Sequence, residues 1–131
     1  MAKLDHLAIQ VSDMDASIAF YTGKLGLKLL SCKVDEAHGE TFAFLQMEGA
    51  NLELLQLHDE TGQPARYEPA AIRKPYCPHF AISADDLDVQ MAELAENEVP
   101  IVGGPFEIPG SVRWLYVGDP DNNVIEYIQW L

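Results

Sequence analysis

Residues 4–11 read Leu-Asp-His-Leu-Ala-Ile-Gln-Val, and residues 77–84 read Cys-Pro-His-Phe-Ala-Ile-Ser-Ala. Laid over each other, the two stretches share His, Ala and Ile at the same places. The same offset of 73 positions sets Asp13 on Asp86, Asp15 on Asp88, Ala19 on Ala92, Glu53 on Glu126 and Gln56 on Gln129 without a gap. Self-similarity at a fixed offset means that one supersecondary unit is used twice.

Working outward from the first stretch, Leu7, Ile9 and Val11 alternate, which predicts a strand over 4–11. Asp13 caps a helix whose apolar stripe is Met14, Ile18, Tyr21 and Leu25, and Gly26 ends it. Strands are expected over 27–34, 40–47 and 52–57, with a turn at 48–51. The second copy follows suit, with a strand over 78–84 and a helix capped by Asp86 that turns Leu87, Met91 and Leu94 inward. Strands over 99–102, 112–117 and 124–130 complete it, the last after a turn at 119–123. The fold class is α+β: two tandem βαβββ modules forming a curved, cup-shaped mixed sheet with helices outside. The modules are 1–57 and 77–131. Residues 58–76 read as a linker carrying Pro64, Pro69 and Pro75, and also Arg66, Arg73 and Lys74. It is a solvated connection, a lid, or an anion contact near a site.

The length of 131 residues suits one domain, and 48% apolar with 22% charged residues is a globular balance. No run of 18 apolar residues and no apolar N-terminal segment is present, so neither a membrane span nor a secretory signal is expected. A net charge of −13 repels phosphate backbones, which excludes nucleic acid as a natural partner. Two cysteines, Cys32 and Cys77, make no disulfide framework, and a cytoplasmic location with reduced thiols is the simplest expectation.

Four residues look out of place in their strands. Glu53 and Glu126 each interrupt an apolar run, and a lone buried carboxylate costs about several kcal/mol unless a charge or metal compensates it. His6 and His79 start their strands on the face opposite Leu7/Ile9 and Phe80/Ile82. With the helices on the apolar face, the histidines point to the inside of the sheet. Two His and two Glu at equivalent points of a pseudo-twofold repeat make an N2O2 set for a divalent metal, with Zn, Ni, Co, Fe or Mn all acceptable. His38 and His58 lack this symmetry and read as ordinary surface residues. Cys77 reads as a small buried residue.

Four segments carry a resemblance. They are Leu4-Asp-His-Leu-Ala-Ile9, Ala19-Phe-Tyr-Thr-Gly-Lys-Leu-Gly-Leu27, Pro78-His-Phe-Ala-Ile82 and Gly118-Asp-Pro-Asp-Asn-Asn-Val-Ile-Glu126. Through them the chain resembles the vicinal oxygen chelate superfamily of glyoxalases, bleomycin-resistance proteins and extradiol dioxygenases. The resemblance implies the paired βαβββ fold and metal ligands at His6, Glu53, His79 and Glu126. It is nearest to glyoxalase I, which carries the same His, Glu, His, Glu set. Two departures concern glutathione: Gln10 and Leu57 stand where the family has an arginine and an asparagine. The base of the related methylmalonyl-CoA epimerases also has no counterpart in Thr41-Phe-Ala-Phe-Leu45.

The implied activity is a divalent-metal-dependent lyase or isomerase that stabilises an enediolate of a small oxygenated substrate without strict dependence on glutathione. Glu53 and Glu126 are the candidate catalytic bases. Phe44, Trp114 and Tyr116 are candidates for the substrate wall, and Arg113 for holding a substrate carboxylate. The alternatives are an Fe(II)-dependent extradiol-type dioxygenase and a non-catalytic drug-binding protein. A homodimer is expected, with the modules paired within one chain or exchanged between two.

Overall fold

The computed structural model describes residues 1–131. The chain divides into two compact units, Met1–Glu68 and Pro69–Leu131. In the first, β1 (His6–Gln10) leads to α1 (Met14–Ala19), a π-helical turn at Phe20–Lys24, and β2 (Lys28–Asp35), β3 (Glu40–Gln46) and β4 (Asn51–Leu57). In the second, β5 (His79–Ser83) leads to α2 (Leu87–Glu96), β6 (Ile101–Ile108), β7 (Val112–Gly118) and β8 (Val124–Trp130). The βαβββ unit therefore occurs twice, as the repeat requires. The strands form two four-stranded mixed sheets, ordered β1-β4-β3-β2 and β5-β8-β7-β6. Only the first and last strands of each unit run parallel, β1 with β4 and β5 with β8. No helix is long and apolar enough to cross a membrane.

Alternation sorts each sheet into two faces. Ala43 and Leu45 of β3 and Leu52 and Leu54 of β4 are fully buried or nearly so, as are Leu115 and Val117 of β7 and Ile125 and Tyr127 of β8. Val11, Met14 and Tyr21 join the first core, and Leu87 and Leu94 the second. Both helices start as expected: the Asp13 carboxylate accepts from Ala16 N, and the Asp86 carboxylate from Asp88 N and Val89 N. The repeated glutamines complete the starts. Gln56 Nε2 donates to the Ser12 carbonyl (2.8 Å), and Gln129 Oε1 accepts from Leu87 N (2.9 Å). Each glutamine ties the last strand of its unit to its helix.

Two expectations shift. The helix expected to run to Leu25 is α-helical only to Ala19 and continues as a π turn, which buries Phe20 beside Tyr21. The strand expected at 99–102 runs on to Ile108. Its register slips at Gly103 and again before Phe106, so Gly104-Pro105 bulge out of the ladder without ending it.

The segment 58–76 is ordered against its neighbours. His58 pairs with Pro64, and Ala65 N donates to the Leu57 carbonyl within the first unit. Asn122 Nδ2 donates to the Ala70 carbonyl within the second, where Ile72 also packs at Gly118.

Helix α1 contains one polar misfit. Ser17 is fully buried, and its Oγ has no hydrogen-bond partner. An unsatisfied hydroxyl costs roughly 1–3 kcal/mol, and Ala is also the better helix former. Ser17→Ala is expected to raise unfolding stability by about 1 kcal/mol. Urea denaturation followed by circular dichroism checks it, and a loss of stability would contradict the assignment.

Candidate functional site

In each unit the face turned away from the buried core carries one His and one Glu. The β1–β4 ladder sets Ala8 beside Glu53, and His6 beside Asn51. The β5–β8 ladder sets Ala81 beside Glu126, and His79 beside Val124. The parallel register thus brings each histidine diagonally to its glutamate. His6 Nε2 lies 3.6 Å from Glu53 Oε1, and His79 Nε2 lies 2.9 Å from Glu126 Oε2. The side chains are 39% and 15% exposed in the first pair, and 24% and 11% in the second. The turn before β8 fixes where Glu126 begins. Asp119 accepts from Asp121 N and Asn123 N with Oδ1, and from Asn123 Nδ2 with Oδ2.

The other ring nitrogen of each histidine is engaged. His6 Nδ1 donates to Asp5 Oδ2 (2.6 Å), and His79 Nδ1 donates to the Tyr76 carbonyl (2.9 Å). A carbonyl can only accept, so Nδ1 of His79 carries the proton. The Asp5 hydrogen bond raises the His6 pKa above its ordinary value; desolvation opposes this and the Glu53 charge adds to it.

Each histidine also meets an aromatic ring from the third strand of its sheet. Phe44, opposite Glu53, packs edge-on to His6 at 5.5 Å, and Tyr116, opposite Glu126, packs edge-on to His79 at 5.4 Å. In the second unit the aromatic surface continues. Tyr76 stacks on Tyr116 at 4.4 Å, and Phe106 tilts against Trp114 at 5.6 Å. Burial first, and the Glu126 charge next, push the Tyr116 hydroxyl above its ordinary pKa.

The sequence-derived candidates therefore gather as two pairs, His6 with Glu53 and His79 with Glu126, beside Phe44, Tyr116 and Trp114. No three His, Cys, Asp or Glu side chains form one cage in this structure. The pairs nonetheless suit a cation. An Nε2 lone pair and a carboxylate oxygen facing each other at 2.9 Å need a positive charge between them, a proton or a metal ion. Imidazole nitrogen and carboxylate oxygen are ordinary donors for divalent first-row metals.

Arg113 sits elsewhere. It is three residues from Tyr116, hence on the helix-side face, where Nη2 donates to Asp88 Oδ1 (2.9 Å). That bond holds the Asp88 carboxyl below its usual range and the guanidinium above its own. Arg113 is a helix clamp and does not face the His79–Glu126 pair. Cys77 is exposed rather than buried, with Sγ 3.9 Å from His79 Nδ1. His38 is exposed on Asp35, as expected of a surface residue, while His58 is half-buried and bonded to Thr41 Oγ1 at 2.7 Å. Sequence reasoning missed Asp5, Tyr76 and Phe106. The available signals were an acid next to a candidate ligand histidine and an aromatic set between Pro75 and Pro78.

A family model, the glyoxalase/bleomycin resistance protein/dioxygenase superfamily, matches residues 3–127. The lactoylglutathione lyase of Haemophilus influenzae is 31% identical over 127 residues, covering 95% of this chain and 90% of the relative. The trypanothione-dependent glyoxalase I of Leishmania major superposes with a TM-score of 0.72 at 28% identity, covering 98% of this chain and 87% of the other. TnmS3, an antibiotic-binding protein from a Streptomyces species, superposes with a TM-score of 0.70 at 25% identity, covering 100% of this chain and 98% of the other. A match across nearly the whole chain, joined to a βαβββ unit repeated in sequence and in structure, shows that this protein belongs to the glyoxalase/bleomycin resistance/dioxygenase superfamily.

Proposed function

We propose that the protein is a divalent-metal-dependent lyase or isomerase of the glyoxalase I type, acting on a small carbon acid. The observation that carries this reading is the twofold occurrence of the same device. Each unit sets an imidazole against a poorly exposed carboxylate, with the far ring nitrogen already tied to an acceptor. His6 with Glu53 in the first unit, and His79 with Glu126 in the second, are the residues that would hold metal. When bound, it supplies Lewis acidity that makes a C–H next to a carbonyl easier to ionise.

The rest is the work of the chain. Glu53 and Glu126 stand at equivalent places and can each take or return a proton at carbon, which suits isomerisation. Their low exposure keeps water from competing for that proton. Phe44 beside His6, and Tyr116 with Trp114 on the sheet that carries His79, are apolar surfaces against which a ligand can rest. With Arg113 bound to Asp88, the second unit offers no guanidinium from β7 to a substrate carboxylate. Together with Gln10 and Leu57 at their sequence positions, this favours a substrate other than a strict glutathione conjugate.

Elemental analysis of protein purified without chelator tests the reading, beside a Glu53→Ala/Glu126→Ala variant. The expected result is about one divalent ion per chain in the wild type and loss in the variant, by the ligand arithmetic of such sites. Zinc, nickel or cobalt would direct assays to isomerisation, and iron to oxygen chemistry. A wild type that takes up no metal on reconstitution would overturn the enzyme. It would favour the second reading, a small-molecule binding protein on the same aromatic walls, which the likeness to the antibiotic-binding protein supports.

A further inference from the structure

Tyr76 lies outside both βαβββ units in sequence, yet it is locked against the His79–Glu126 pair. Its backbone has φ +62°, a left-handed conformation uncommon for a non-glycine residue, closed by Tyr76 N donating to the Arg73 carbonyl (2.8 Å). Its ring stacks nearly parallel on Tyr116, with 14° between the planes. Gly103 of β6 lies close against the hydroxyl end of the same ring. A Cβ placed there would lie 2.8 Å from the ring Cζ and 2.9 Å from the hydroxyl oxygen, so only glycine leaves room for the ring. Ring and backbone together fix the Tyr76 carbonyl, which accepts from His79 Nδ1 at 2.9 Å.

We propose that Tyr76 is a positioning residue for His79: its carbonyl, anchored by the ring in the Tyr116–Gly103 slot, holds the imidazole with Nδ1–H outward and Nε2 toward Glu126. The proposal rests on the metal-dependent reading of the site, because its functional consequence is a ligand-ready Nε2. The chemistry is direct. Without an acceptor at Nδ1, a neutral imidazole facing a carboxylate at 2.9 Å places its proton on Nε2 and donates it to Glu126. That tautomer cannot bind a cation through Nε2. Outer acceptors of this kind set ring orientation and ligand basicity in metal sites. The first unit solves the same problem differently, with the Asp5 carboxylate on His6. His6 is therefore an internal reference for any change at His79.

The test uses the full-length protein labelled with 15N-histidine and freed of metal. In the wild type, His79 is expected to show an Nδ1–H protected from solvent exchange. Tyr76→Phe keeps the ring and is expected to keep that proton. Tyr76→Gly tolerates the positive φ but removes the anchor, and Gly103→Ala drives the ring from its slot. Both are expected to lose the protected Nδ1–H of His79 while His6 is unchanged. Zinc affinity, read by competition with a chromophoric chelator, is expected to fall roughly 10- to 100-fold in both. Retention of the protected proton and of zinc affinity in Tyr76→Gly and Gly103→Ala would overturn the proposal. A wild type that binds no zinc, but whose protected His79 proton is lost in Tyr76→Gly, would sink the metal reading and leave the positioning role standing.

Discussion

Under the proposed lyase or isomerase function, Glu126→Gln is expected to cut metal-dependent proton exchange at carbon by about 10²- to 10⁴-fold, the usual worth of a positioned general base. The metal-free protein should stay at least as stable as the wild type. The two outcomes have one cause. Glu126 is among the few buried charged side chains, on a strand whose neighbours Ile125 and Tyr127 are core residues. A carboxylate there is unfavourable for folding unless a cation faces it, and His79 Nε2 at 2.9 Å is its paired partner. Glutamine keeps the shape and an acceptor oxygen but loses the charge and the basicity. Nuclear magnetic resonance in deuterated water reads the first effect, as deuterium entering the carbon next to the carbonyl of lactoyl thioesters of glutathione and of simpler thiols. Thermal unfolding of the metal-free protein reads the second. Exchange that survives the substitution would remove Glu126 from the chemistry, and a large loss of metal-free stability would make it a structural residue.

The placement of Glu126 was legible from the sequence because three independent patterns agree on it. The offset that aligns His6 with His79 also aligns Glu53 with Glu126. Strand alternation puts both glutamates on the face away from the helices, and the Asp119–Asn123 turn fixes where β8 starts. The same alternation rule rejects Arg113, three residues from Tyr116 and so on the other face. Asp88, its partner on that face, lies 25 residues earlier in the chain and is not marked by any local pattern. Other features lay beyond the pattern. Nothing local shows that Gly103-Gly104-Pro105 bulges within β6 instead of breaking it, because β7 supplies the pairing that carries the strand through. The π turn at Phe20–Lys24 likewise depends on packing, which rewards burying Phe20 and Tyr21 together over keeping strict helical spacing. Tyr76 was hidden because its role is tertiary. Its ring is held by Tyr116 and Gly103, each more than 20 residues away along the chain.

Leu115→Ala is expected to destabilise the second unit by about 2–5 kcal/mol, the cost of emptying a closed core. Leu115 is fully buried on β7, which lies between β8 and β6, so neither neighbouring strand can move in without breaking a ladder. Its partner across β8 is Tyr127, whose ring and hydroxyl are held in the same apolar layer. Burial there, with a smaller effect of the Glu93 charge, pushes that hydroxyl up to about 12. A cavity beside a large, rigid aromatic relaxes less than one lined by flexible aliphatic chains, which favours the upper part of the range. Both tryptophans, Trp114 and Trp130, belong to this unit, so their fluorescence in urea reports its unfolding directly. The midpoint should fall by roughly 1–2 M with an unchanged slope. Ile108→Ala removes an aliphatic group of the same size from the edge strand β6, where the side chain is 54% exposed. It should stay within about 0.5 kcal/mol of the wild type. A loss at Leu115 no greater than at Ile108 would mean that the layer between β7, β8 and α2 is not closed, and that the His79–Glu126 pair stands on a looser floor than its geometry requires.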